Sequence, residues 1–290
     1  MNAETQQKRR ELSKFIHQIV EPDLAIQGII VIGSVAKGIA RSDSDIDAVV
    51  FLDPYDLYAV PAESKWESET GIFQGISRHA PNALQLDFKR VSLVEWSKPD
   101  FTWSDTLCAE LSEGWLAYDR HNEIGPLVSQ RTKYTDENRQ ERLDGGLIML
   151  DWLIKPSTAD RTWETLGPTV AHSRLHSAFD YLVQALFAYN RRWRTLPSRE
   201  LTDLLALDWL PEEFEENLLQ AANALSADFE GYQQRLAVLN RFFNGLILRC
   251  QQDGLYGADP ISEAFIRQNS EPGRDWNMDE WNRLNQEWGN

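Results

Sequence analysis

The chain has little cysteine. Of 290 residues only Cys108 and Cys250 are cysteines, far apart and matching no metal-ligand spacing, which leaves no disulfide framework and fits a protein kept reduced inside the cell. Neither is a strong candidate nucleophile. Long apolar runs are missing too: no stretch approaches the roughly 20 apolar residues that span a bilayer. The first twenty residues carry Lys8, Arg9, Arg10 and Lys14 and contain neither an apolar h-region nor a small-residue cleavage site, so the cytoplasm is the expected compartment. Positive charge is also scarce, with 29 Lys and Arg against 45 Asp and Glu, a net charge of -16 and a pI near 4.8. Affinity for phosphate backbones comes mainly from arrays of Lys and Arg, so a nucleic-acid track is not an expected partner. A small or cationic acceptor, or a protein, suits this charge better.

What is present is core-forming material: 42% hydrophobic residues, 11% aromatic, and eleven Trp with large areas to bury. The length exceeds one average domain, and two are expected. In Glu11 to Val20, Leu12, Phe15, Ile16, Ile19 and Val20 recur at helical spacing, which predicts a helix ahead of a strand at Gly28 to Ile32. A second strand is expected at Asp45 to Leu52, ended by Asp53-Pro54. Between Tyr55 and Pro81, Trp66, Ile72, Phe73 and Ile76 stand at near-helical intervals; then Leu84 to Val91 alternates as a half-covered strand with Asp87 on its polar face.

From about Asn138 the texture turns helical. Leu175, Ala178, Phe179, Leu182, Val183, Leu186 and Phe187 form one stripe over Ala171 to Asn190. A second helix is expected from Leu210-Pro211-Glu212-Glu213, a third over Phe229 to Cys250, and an amphipathic tail over Asp275 to Trp288 carrying Met278, Trp281, Leu284 and Trp288. The expected fold is α+β, a small mixed sheet with helices over residues 1–130 followed by an all-α helical bundle over 131–290, with the linker near 120 to 136.

One stretch carries sharp chemistry. Gly33-Ser34 ends an apolar run where a strand turns into a short helix, aiming backbone N–H groups and a hydroxyl outward, an arrangement suited to phosphate. In the following strand a period of two puts Asp45 and Asp47 on one face and Ile46 on the other, and Asp87 would add a third carboxylate. Two carboxylates about 4 Å apart repel by roughly 4 kcal/mol at an effective dielectric near 20, so the trio calls for a hard divalent cation, most naturally Mg²⁺. Three carboxylates can hold two ions that clamp the attacking and leaving oxygens of an in-line displacement.

Other motifs fail at specific positions. Gly33 and Gly38 are spaced as in a P-loop, but Ile39-Ala40 stand where it needs Lys and Ser or Thr. Asp43-Ser44-Asp45-Ile46-Asp47 begins like a calcium EF-hand loop, yet Ala48 replaces its Gly and Pro54 its bidentate Glu. In glycosyltransferase or phosphatase Asp-x-Asp motifs the strand precedes the acids, whereas here it follows them.

Gly33-Ser34, ten intervening residues, Asp45-Ile46-Asp47 and the later Leu86-Asp87-Phe88 resemble the signature of the DNA polymerase β-type nucleotidyltransferase superfamily. The helical second half is similar in kind to the bundles of aminoglycoside and lincosamide nucleotidyltransferases. The resemblance implies Gly33 and Ser34 on a nucleoside triphosphate, Asp45, Asp47 and Asp87 on metal, and transfer of NMP, with AMP from ATP as the expected case, with release of pyrophosphate. A hydroxyl of a small molecule is the leading acceptor, with the cleft between the domains as the expected active site; a protein side chain, as in toxin-antitoxin-type relatives, or an idle nucleotide-binding regulator are the alternatives.

Supporting residues have competing readings. Lys37 and Arg41 can meet phosphate oxygens or stay as solvated loop charges, Ser42 and Ser44 suit simple turn chemistry, and Lys89 shares the Asp87 face. His172, His176 and Asp180 have a metal-compatible helical spacing but suit packing or surface roles better. Arg191, Arg192 and Arg194 either complement a helix C-terminus or contact nucleotide, and Trp163, Trp193 and Trp209 either stack a ligand or fill a core. Asp87, Asp105, Glu110 and Asp144 are candidate general bases.

Overall fold

The computed structural model describes residues 1–80 and 83–269, together with Arg283. They divide into two compact units, Met1–Lys133 and a second beginning at Tyr134.

The first unit opens with helix α1 (Ala3–Phe15), whose N-terminus is capped by the Asn2 side chain accepting from the Thr5 amide at 2.9 Å. A π-helical turn, Ile16–Val20, continues it. Strand β1 (Ile26–Val31) and the one-turn helix α2 (Gly33–Ala36) follow, then β2 (Ile46–Leu52), β3 (Glu63–Trp66), β4 (Phe73–Gln74) and β5 (Leu84–Ser92). Helices α3 (Leu93–Ser97) and α4 (Asp105–Ser112), strand β6 (Trp115–Asp119) and helix α5 (Ile124–Arg131) complete the unit.

The six strands form one sheet in the order β4-β3-β5-β2-β1-β6, in which β2 and β5 run parallel and every other pair is antiparallel. One face packs on Leu12, Phe15 and Ile16 through Ile29, Val31, Ile46, Ala48, Val50, Leu86 and Phe88. On the other, Phe51 meets Trp96 edge to face with centroids 5.8 Å apart, and Trp103 packs on Trp96 at 5.3 Å.

One expectation is corrected in this unit. The near-helical spacing between Tyr55 and Pro81 belongs to the β3-β4 hairpin. Trp66 is fully buried against Phe15, whereas Ile72 and Ile76 are 56% and 46% exposed and so contribute nothing to a buried helical stripe. Strand β6 was not expected, because its exposure does not alternate: Leu116 is exposed at the edge while its neighbours are half-buried.

The second unit is helical: α6 (Asp136–Ile154), α7 (Pro156–Tyr189), α8 (Pro197–Leu205), α9 (Phe214–Ala222), α10 (Phe229–Gln252) and α11 (Pro260–Asn269). Leu147, Leu150, Leu175, Leu182, Leu186 and Phe242 lie in its interior, so the stripe read from Ala171 to Asn190 is the buried face of α7. The helix expected from Leu210 starts later, at Phe214. Glu213 adopts a left-handed backbone, φ 55°, with its carboxylate 2.9 Å from Arg241, and breaks the helix that Pro211 and the acids suggested.

The buried Arg235 donates to the carbonyls of Ala221 and Ala222 at the end of α9. The expected tail over 275–288 lies, Arg283 apart, outside the described residues. Among the described residues no helix is long and apolar enough to cross a membrane.

Candidate functional site

The site begins where β1 ends. Gly33 sits at φ 68°, a conformation that favours glycine, and turns the chain from β1 into α2. The Ile32 amide, just before the turn, donates to the Asp47 carbonyl at 2.9 Å, joining the Gly33-Ser34 turn directly to the carboxylate-bearing strand.

Pairing register assembles the acids. Asp47 and Asp87 are partners across the parallel β2-β5 pair, and Asp45 stands two residues before Asp47 at the mouth of β2. Ligand oxygens of Asp45, Asp47 and Asp87 all lie within 4.8 Å of one another, with Asp45 and Asp47 half-buried and Asp87 exposed. Among the described residues, no other trio of histidine, cysteine or carboxylate side chains gathers as closely. Glu63 was not anticipated: it pairs in register with Asp87 from β3, so Asp47, Asp87 and Glu63 form a row across three strands. Its neighbourhood arises from strand pairing remote in sequence, which no local spacing signals.

Asp87 is perturbed by this setting. Desolvation first, then Glu63, then Asp45 hold the Asp87 pKa above the ordinary carboxylate value. A crowded set of hard oxygen donors with this like-charge repulsion fits a hard cation such as Mg²⁺.

The supporting residues separate. Lys37 forms an ion pair with Glu113 at 2.7 Å, and Arg41 lies 3.2 Å from Asp43 on the surface. Ser44 Oγ accepts from the Arg41 amide at 3.0 Å, which is turn chemistry, and Lys89 stacks over Trp96 with its ammonium 5.4 Å from the ring centre. His172 packs against Trp163 and Tyr232, while Asp180 binds Arg194 at 2.5 Å, so the His172, His176 and Asp180 spacing serves packing and the surface.

Arg191 pairs with Asp136, and Arg194 pairs with Glu200 as well as Asp180. Trp193 is buried against Tyr134, while Trp163 and Trp209 pack at the edge of the helical core. Asp144 is withdrawn from candidacy as a base. It is buried and accepts from Tyr256 at 2.7 Å and from Arg267 at 2.8 and 2.9 Å, which fastens α11 to α6.

Residues 9–76 match the family model described as a nucleotidyltransferase domain. No curated protein matches the chain. The crystal structure of a nucleotidyltransferase-like protein from Exiguobacterium sibiricum 255-15 is similar at 14% identity, over 93% of this chain and 82% of that one, with a TM-score of 0.47.

Proposed function

We propose, from the match of residues 9–76 to the nucleotidyltransferase domain model, that the chain transfers a nucleoside monophosphate, AMP in the expected case, from an NTP to a hydroxyl of a small-molecule acceptor. The observation that carries this reading is the meeting of Asp45, Asp47 and Asp87 within 4.8 Å, on strands joined to the Gly33-Ser34 turn. In it, residues 1–130 are the catalytic domain, and residues 131–290 select the acceptor. Asp45, Asp47 and Asp87 hold Mg²⁺, two ions being the expected number, which when bound neutralises charge on the triphosphate and on the oxygens of the reacting phosphorus.

The chain's own residues supply position. Gly33 and Ser34 present backbone N–H groups and a hydroxyl to the triphosphate. The acceptor oxygen attacks the α-phosphorus as the bond to pyrophosphate breaks; the acceptor's proton passes to a base, and pyrophosphate leaves. Lys37 reaches a phosphate oxygen in this scheme only by giving up the Glu113 carboxylate for it, a substitution of one anionic partner for another.

The test incubates the protein with each labelled NTP and Mg²⁺ against panels of small-molecule and protein acceptors, following pyrophosphate and labelled product. Label on a small molecule is the expected result, and label on a protein selects the alternative acceptor. Nucleotide binding that needs no Mg²⁺ and releases no pyrophosphate rejects the transferase reading.

A further inference from the structure

The start of α1 grips the backbone that joins the Gly33-Ser34 turn to the carboxylates. Arg9 Nη2 donates to the Val35 carbonyl at 3.1 Å and to the Ala36 carbonyl at 2.9 Å. Asn2 donates from its amide to the Gly38 carbonyl at 3.0 Å and from its side chain to the Ala40 carbonyl at 2.8 Å, while buried Thr5 Oγ1 accepts from the Ala40 amide at 3.0 Å. Lys8 reaches the Ser42 carbonyl at 3.4 Å. The Arg9 guanidinium lies 4.3 Å from the centre of the Trp115 ring, so its plane is fixed from the other side by β6.

Helix α2 needs such help. A single turn is not self-sustaining, because few internal hydrogen bonds offset the backbone order it demands, and beyond Arg9 its Val35 carbonyl has only a long contact from the Gly38 amide at 3.4 Å. Arg9 supplies charge-assisted donors to both final carbonyls, at the end of the turn where a cation is favoured.

Resting on the reading of Gly33-Ser34 as the triphosphate turn, we propose that Arg9 is a positioning residue for nucleotide binding. It holds α2 so that the Gly33 and Ser34 donors are set before the polyphosphate arrives. Its Nη2 is committed to the Val35 and Ala36 carbonyls and its Nε is buried, so it acts through the turn and not by touching phosphate. Asp47 and Asp87 are partners in the β2-β5 register, and Asp45 adjoins its first residue, Ile46, so their placement is set by strand pairing and not by Arg9. Loss of Arg9 therefore separates two affinities that a general loss of structure would lower together.

The test measures Mg²⁺-dependent binding of inorganic tripolyphosphate by calorimetry, and Mn²⁺ binding without phosphate by electron paramagnetic resonance, on the full chain. Arg9→Ala is expected to weaken tripolyphosphate about tenfold, as for a lost charged hydrogen bond, with Mn²⁺ affinity unchanged. Millimolar guanidinium should restore tripolyphosphate binding by refilling the vacated site. Arg9→Lys, which keeps the charge without the planar fork, should fall between the two. Wild-type tripolyphosphate affinity in Arg9→Ala, or equal loss of both affinities without rescue, overturns the proposal. If Arg9→Ala does not fold, Arg9→Lys decides on the same two affinities, and an unchanged tripolyphosphate affinity there overturns it. Failure of the wild-type protein to bind tripolyphosphate rejects the phosphate-turn reading itself; binding that is insensitive to Arg9 rejects only the role given to Arg9.

Discussion

Asp47, Asp87 and Glu63 stand side by side on adjacent strands, and their mutual repulsion makes the site's behaviour depend on charge. Asp45→Asn or Asp47→Asn should stop pyrophosphate release while circular dichroism stays native, and metal-free thermal stability should hold or rise because one repelling charge is gone. Full turnover in either variant would remove that residue from the metal site. The raised pKa of Asp87 carries a direction for pH: the metal-free native protein keeps this proton to higher pH than the unfolded chain does. Asp87 therefore lowers stability as pH rises through the window above the ordinary carboxylate value, and there protons compete with the cation. Glu63→Gln should weaken Mn²⁺ binding near neutrality, since a negative charge is lost, yet shift the pH midpoint of binding downward, since Asp87 then ionises more easily. Mn²⁺ titrations across pH would show both effects, and an unmoved midpoint would contradict the coupling of Glu63 to Asp87. Asp87 was legible from the alternation of Leu84 to Val91, whereas Glu63 and Arg9 were not. Their roles come from strand register and from a helix packed across the sheet, neither of which leaves a local pattern.

Among the elements, the long helix α7 contains a break that its sequence encodes. Gly167 sits at φ 80° and ψ 172°, followed by Pro168, which suits the first turn of a new helical segment and not the interior of an old one. A Cβ at Gly167 would meet no atom within 4 Å, so only the backbone conformation resists a side chain there. Gly167→Ala should cost about 1–3 kcal/mol in urea unfolding, the range for a residue held in a region almost exclusive to glycine. An unchanged midpoint would mean that the break relaxes freely. Strong amphipathic periods were readable in such elements: the Leu175 to Phe187 stripe is the buried face of α7, and Phe229 to Cys250 is most of α10. What failed was reading at short range. Acids and a proline at Pro211 to Glu213 resemble a helix mouth, but the left-handed Glu213 and its pair with Arg241 turn them into the preceding loop. Strands β3 and β4 were masked because exposed Ile72 and Ile76 imitated a helical period that the packing does not use.

For the molecule as a whole, the α+β order was visible in the change from short apolar runs to long amphipathic ones. Each unit holds a separate hydrophobic cluster: one built on Phe15, Trp66 and the sheet, the other on Leu182, Leu239 and Phe242. A core assembled entirely from nearby chain should survive without the rest. The N-terminal unit contains the Gly33-Ser34 turn, the carboxylate row and the α1 contacts that brace them, so everything assigned to cation and polyphosphate lies within it. A chain comprising residues 1–133 should accordingly melt cooperatively and bind Mn²⁺ and Mg²⁺-tripolyphosphate within a few-fold of the full protein. It should not label an acceptor that the full protein labels, because the residues proposed to select that acceptor lie in the helical unit. Acceptor labelling by the fragment at the full-length rate would move acceptor selection onto the sheet domain. A fragment that folds but loses Mn²⁺ would instead show that the carboxylates need the helical unit to hold their positions.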